Sequence, residues 1–106
     1  MLVKNIGLQV DELVNLISIF ERIPSISEVV LFGSRALGTY RIGSDIDLAL
    51  KGNITHTEWF DVQIAIDELD FPYKFDVVLF NKISNLELIA HIERVGKGLH
   101  TKPISK

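Results

Sequence analysis

The sequence predicts an α/β domain of the α+β kind: a mixed β-sheet of three to four strands flanked by helices, in the order α-β-α-β-α-β-α. Three observations carry this. Helical and strand-like apolar patterns alternate along all 106 residues, as they do where helices pack on a sheet. Runs of β-branched residues stop at glycine, and helical runs stop at proline. Only about four residues separate a short helical stretch from the second strand, too few for the crossover that parallel neighbours require.

The elements follow in order. Val10, Leu13, Val14, Leu16, Ile17 and Phe20 recur at helical spacing within residues 9–22, and Pro24 ends the pattern. Residues 28–32 (EVVLF) form a short β-branched run that stops at Gly33, a strand. Residues 34–40 allow one or two helical turns closed by Gly38. Residues 45–50 (DIDLAL) alternate acidic or small residues with Ile46, Leu48 and Leu50, the period of a strand with one buried face. Thr55 and Glu58 make a capping-box pattern, so a helix starts there and runs to about Leu69, short of Pro72. Residues 74–80 (KFDVVLF) read as a third strand. Ser84 and Glu87 repeat the capping pattern, and the helix behind them ends near Val95 with Gly96 as C-cap. Residues 97–106 are expected to be a flexible tail or a short edge strand.

Length and composition bound the function. Residues 1–106 suffice for a single domain with one modest core and leave little room for a separate substrate domain. An enclosed pocket is therefore expected to need a second subunit. The formal net charge of −3 argues against broad, sequence-independent nucleic-acid binding. With no cysteine, thiol catalysis and zinc–thiolate sites are excluded. No signal peptide or membrane span is read, and a cytoplasmic location is expected.

The chemistry begins with carboxylates in apolar strands. Asp45 and Asp47 lie two apart in a strand and so project from one face. Like charges crowded on one face destabilise unless a cation compensates, and Mg²⁺ takes one or two carboxylates plus water and phosphate oxygens. Asp76 interrupts the third strand. If that strand lies beside the second, Asp76 joins the same site, and three carboxylates can hold two metal ions. The plain alternative is solvated surface charge for the pair and an edge-strand charge for Asp76.

Gly33-Ser34 follows the first strand at once. Glycine permits a sharp turn close to a ligand, and Ser34 offers a hydroxyl where free amides point outward, as anion sites require. Arg35 has the reach for a phosphate, or is simply solvated. Arg41 and Ser44 either line a triphosphate or are ordinary loop residues. Tyr40 either stacks on a base or packs, with packing the expected role. His56, His91 and His100 are scattered without metal-ligand spacing, and His91 is expected to have a surface or partner-facing role. Trp59 and Phe60 are expected in the core, or else on a partner surface. No Gly-Lys-Ser/Thr phosphate loop and no Gly-x-Ser-x-Gly elbow is present.

Gly33-Ser34, then ten residues, then Asp45-Ile46-Asp47-Leu48 is a compound pattern. The stretch GSRALGTYRIGSDIDLAL resembles the signature of the polymerase-β-type nucleotidyltransferase superfamily. Within it the chain is most similar to the small stand-alone prokaryotic members called minimal nucleotidyltransferases. The resemblance is specific over this stretch and looser elsewhere, up to Val95. It implies the nucleotidyltransferase fold, with Gly33 and Ser34 on the triphosphate of ATP. It further implies two Mg²⁺ ions held by Asp45, Asp47 and Asp76, with Asp76 also assisting deprotonation of an acceptor hydroxyl. Such members often pair with a HEPN-type helical protein from a neighbouring gene, transferring AMP to that toxin as its antitoxin. A hetero-oligomer is the implied assembly, with a homodimer as the alternative.

Two other functions stay open at this stage. An antitoxin could neutralise its partner by contact alone, the acidic site being vestigial. Transfer of nucleotides to an RNA 3′ end is the weaker option, because the acidic balance and the lack of an RNA-binding domain count against it.

Overall fold

Period-two burial in the strands and apolar stripes on the helices assemble one layered arrangement. The computed structural model describes residues 6–41 and 43–102. Its elements are α1 (Val10–Glu21), β1 (Ile26–Phe32), α2 (Gly33–Leu37), β2 (Ile46–Gly52), α3 (His56–Glu68), β3 (Phe75–Leu79), α4 (Leu86–Val95) and β4 (Lys97–Thr101). A single 3-10 turn, Phe80–Lys82, links β3 to α4.

The four strands form one mixed sheet in the order β3-β2-β1-β4. β1 runs antiparallel to both β2 and β4, and β2 runs parallel to β3. The parallel pair is made possible by α3, whose length supplies the crossover. The expected mixed sheet flanked by helices is therefore the one observed, and residues 97–101 take the edge-strand form of the two alternatives. The last four residues of the expected tail, 103–106, lie outside the described residues.

Alternation divides the sheet into two faces. Val29 and Leu31 of β1, Ile46, Leu48 and Leu50 of β2 and Val77 of β3 are buried with Leu16 and Phe20 of α1 and Val62 and Ile66 of α3. Full burial of each such side chain contributes roughly 1.5–3 kcal/mol, so this face holds most of the fold's apolar stabilisation. The opposite face is thinner: Val30, Phe32 and Ala49 pack against Ile92 of α4. Asp47 and Asp76 project onto this thinner face, in step with Ala49 and with Val78.

Helix ends follow local chemistry. Thr55 caps α3 as expected: its Oγ1 accepts the Glu58 amide at 3.1 Å, and Glu58 accepts the Thr55 amide at 2.9 Å. α3 stops at Leu69, and Asp70 takes a left-handed φ of 54° ahead of Pro72, a conformation Asp tolerates better than most residues. The second capping expectation is corrected by one position. Asn85, not Ser84, caps α4, its Oδ1 accepting the amides of Glu87 at 2.9 Å and Leu88 at 3.2 Å. Asn and Ser rank alike as caps, and Asn85 stands directly before the first helical residue. Gly96 does cap α4, but in an extended conformation (φ −60°, ψ 142°) rather than a left-handed one. A side chain there would run into the Ile92 carbonyl and the Val30 side chain.

Candidate active site

The site grows from the register of two strands. Asp47 of β2 lies directly opposite Asp76 of β3. Parallel neighbours stand about 4.8 Å apart, so both carboxylates emerge side by side on the α4 face. Asp45 lies one residue ahead of β2 and is exposed. Its two-residue offset from Asp47 keeps it at the same end of the sheet.

Gly33 closes the other side. On β1, Phe32 pairs with Asp47, so the turn after Phe32 passes directly over the Asp47 carboxylate. Gly33 has a φ of +74°, and a Cβ there would collide with that carboxylate. Two independent constraints thus demand glycine: the left-handed backbone and the closeness of Asp47. Ser34, partly exposed, comes next at the start of the five-residue helix α2, which Gly38 ends at φ +81°.

Burial pushes the Asp47 carboxyl above the usual carboxylate range, and the charges of Asp76 and Asp45 push it further the same way. The positive charge that His91 carries when protonated and that of Arg35 act the other way, without cancelling the rise. The three carboxylates therefore make an under-neutralised pocket of negative charge. An all-oxygen donor set of this kind suits a hard divalent cation. Among the described residues, no three His, Cys, Asp or Glu side chains are already gathered closely enough to grip a metal ion. The strands bring two carboxylates together, and the exposed Asp45 is the third.

Arg35 corrects an expectation. It is 2% exposed, and its donors are spent on backbone carbonyls inside the fold. Nε and Nη2 donate to the Ser44 carbonyl at 3.2 and 2.8 Å, and Nη1 donates to the Ile6 carbonyl at 2.7 Å. The guanidinium lies 5.0 Å from the Tyr40 ring centroid and 5.1 Å from that of Tyr73. Tyr40 accordingly packs, as expected. A buried cation must satisfy its donors, and the carbonyl immediately ahead of Asp45 is what it finds. Arg35 thus fixes the loop that delivers Asp45.

Ser44 is used in the same loop. Its hydroxyl accepts the Arg41 amide at 2.8 Å, and its own amide donates to the Arg41 carbonyl at 2.9 Å. Arg41 is exposed. Trp59 is half-buried and donates to the Val77 carbonyl at 3.0 Å, which covers part of the exposed edge of β3, whereas Phe60 stays exposed.

His91 is the residue that sequence reasoning missed. Gly33 N–H donates to its Nε2 at 3.3 Å, and the imidazole meets the Phe32 ring edge-on at 6.2 Å. The partners stand 58 residues apart. The only signal was the place of His91 between Ala90 and Ile92, which does not announce a neighbour on another element. A groove of about 500 Å³ lined by Phe60, Ile64, Phe71, Tyr73 and Phe75 opens on the other side of β3 and holds none of the motif residues.

The fold has counterparts among solved structures. A crystal structure of a toxin–antitoxin with AMP-PNP is 26% identical with a TM-score of 0.65, covering 90% of this chain and 75% of that one. The tri-AMPylated Shewanella oneidensis HEPN toxin in complex with MNT antitoxin matches with a TM-score of 0.63 at 22% identity, covering 90% of this chain and 74% of the other. The toxin–antitoxin MntA–HepT gives the same TM-score at 22% identity, with 89% and 74% covered. These last two similarities establish the fold. No curated protein matches the chain. The family model for polymerase beta, nucleotidyltransferase, matches residues 14–104, which spans both the Gly33-Ser34 turn and all three aspartates. The chain belongs to the polymerase beta nucleotidyltransferase family.

Proposed function

We propose that this chain transfers AMP from ATP, with Mg²⁺, to a hydroxyl on a HEPN-type partner protein, and so acts as the antitoxin of a toxin–antitoxin pair. The observation that supports this most is the register of Asp47 against Asp76 beneath a glycine that must lack a side chain. Similarity to a toxin–antitoxin structure with AMP-PNP, and the fold shared with an MNT antitoxin whose HEPN toxin is tri-AMPylated, supports the choice of nucleotide and partner.

In this reading Asp45, Asp47 and Asp76 hold the metal, Ser34 meets the triphosphate from the turn that Gly33 makes possible, and Arg41 adds charge from the loop. Bound Mg²⁺ would supply charge neutralisation of the triphosphate and of the pyrophosphate it releases. The acceptor oxygen bonds to the α-phosphorus as the bond from that phosphorus to the bridging oxygen breaks. Pyrophosphate leaves with the electron pair, and the hydroxyl proton passes to Asp76. Arg35 acts one step back, holding the Ser44 carbonyl and therefore Asp45. Positioning and charge dominate such chemistry, which suits a scaffold of this size.

Incubation with ATP labelled at the α-phosphate, Mg²⁺ and the HEPN protein from the neighbouring gene tests the reading. Label on the partner with wild type, and none with the Asp45→Ala, Asp47→Ala double variant, is the expected result. An unlabelled partner in both would sink it. Continued protection of cells by the double variant would favour neutralisation by contact alone.

A further inference from the structure

We infer that His91 is a positioning residue of the nucleotide site: it holds the Gly33 amide, and with it the turn that carries Ser34, and keeps that amide when nucleotide binds. The inference rests on the function proposed above.

The need for such a brace follows from the glycine itself. A Cβ at residue 33 would displace the Asp47 carboxylate. Glycine is also the residue with the most backbone freedom, so the site's closest approach to the carboxylates falls on its loosest link. A hydrogen bond to the Gly33 N–H restricts that link without adding a side chain. His91 supplies it from α4, at 3.3 Å across 58 residues of sequence.

The imidazole is itself constrained. Phe32 is buried and meets it at 81°, edge to face. The next residue along α4, Ile92, is 2% exposed and anchored against Val30, Phe32 and Ala49. A backbone N–H only donates, so Nε2 is the bare acceptor and the ring proton of neutral His91 sits on Nδ1. An amide already bonded this way is not free for phosphate. Triphosphate contacts at the turn therefore fall to Ser34, and His91 acts through Gly33 without touching substrate.

Wild type and two variants of the full chain separate the possibilities: His91→Phe, which keeps a ring beside Phe32 but has no acceptor, and His91→Gln, which restores one. Amide exchange of Gly33 is measured without nucleotide, and binding of AMP-PNP with Mg²⁺ by calorimetry. Long-range ¹H–¹⁵N spectra of the His91 ring are recorded with and without that complex. The brace predicts faster Gly33 exchange in His91→Phe and wild-type-like exchange in His91→Gln. It predicts affinity for AMP-PNP weaker by roughly threefold to tenfold in His91→Phe and by no more than about twofold in His91→Gln, the range of one net hydrogen bond. The ring signals should report a bare Nε2 in both states. Unchanged Gly33 exchange in His91→Phe, or loss of the Gly33–His91 bond when AMP-PNP binds, would overturn the inference. Failure of wild type to bind AMP-PNP would defeat the functional reading instead, while Gly33 exchange would still decide the brace.

Discussion

Gly33→Ala and Gly38→Ala make a matched pair, because both glycines have nearly the same backbone and different surroundings. Their φ values are +74° and +81°. A Cβ at Gly38 meets nothing within 4 Å, whereas one at Gly33 collides with the Asp47 carboxylate. The left-handed conformation alone costs an alanine roughly 1–2 kcal/mol, so Gly38→Ala should lose about that much. Forced overlap adds about 1–3 kcal/mol, and Gly33→Ala should therefore lose roughly 2–5 kcal/mol in all. At about 4–8 °C per kcal/mol for a domain of this length, the two melting temperatures should be clearly resolved. Urea titration gives the free energies, and calorimetry with AMP-PNP and Mg²⁺ gives the functional consequence. Nucleotide affinity should fall for Gly33→Ala, whose collision displaces Asp47, and hold for Gly38→Ala. Equal destabilisation of the two variants with equal nucleotide affinity would refute the claim that the turn is fitted to the carboxylate.

Three further outcomes follow from the same geometry. Asp47 has a raised carboxyl pKa in the folded protein, so folding favours its protonated form; the stability this provides is present at acid pH and is lost as pH rises through the folded value. Asp47→Asn should thus raise the melting temperature at pH 7, and the gain should vanish as pH falls below the ordinary value of 3.8. Arg35→Lys keeps the charge but not the planar fork that grips the Ser44 and Ile6 carbonyls. It should lose about 2–3 kcal/mol in urea titration and weaken nucleotide binding through Asp45. Thr55→Ala removes one cap and should cost about 1 kcal/mol while leaving AMP-PNP affinity unchanged, since α3 lies on the other face of the sheet from the carboxylates.

How legible the molecule was in its sequence depends on the range of the interaction involved. Period two in residues 46–50 and the β-branched run before Gly33 are local patterns, and both strands formed within a few residues of their expected limits. The Thr55–Glu58 cap is likewise local and present. Asp47 and Asp76 were legible as a pair only on the condition that β3 lies beside β2, which the crossover through α3 satisfies. The failures involve partners distant in sequence. Whether Arg35 turns outward to a phosphate or inward to Ile6 depends on a carbonyl 29 residues away. His91 meets Gly33 only once α4 has folded over the thinner face. No periodicity carries that kind of information.

Adenylyl transfer by the proposed Asp45, Asp47 and Asp76 site would leave a mass change on the partner, which intact-mass spectrometry reads. The neighbouring HEPN protein would be co-expressed with wild type or with Asp47→Asn, purified and weighed. One or more added AMP units are expected with wild type and none with the variant. A partner of unmodified mass beside the wild-type chain, or the same added mass beside Asp47→Asn, would contradict it.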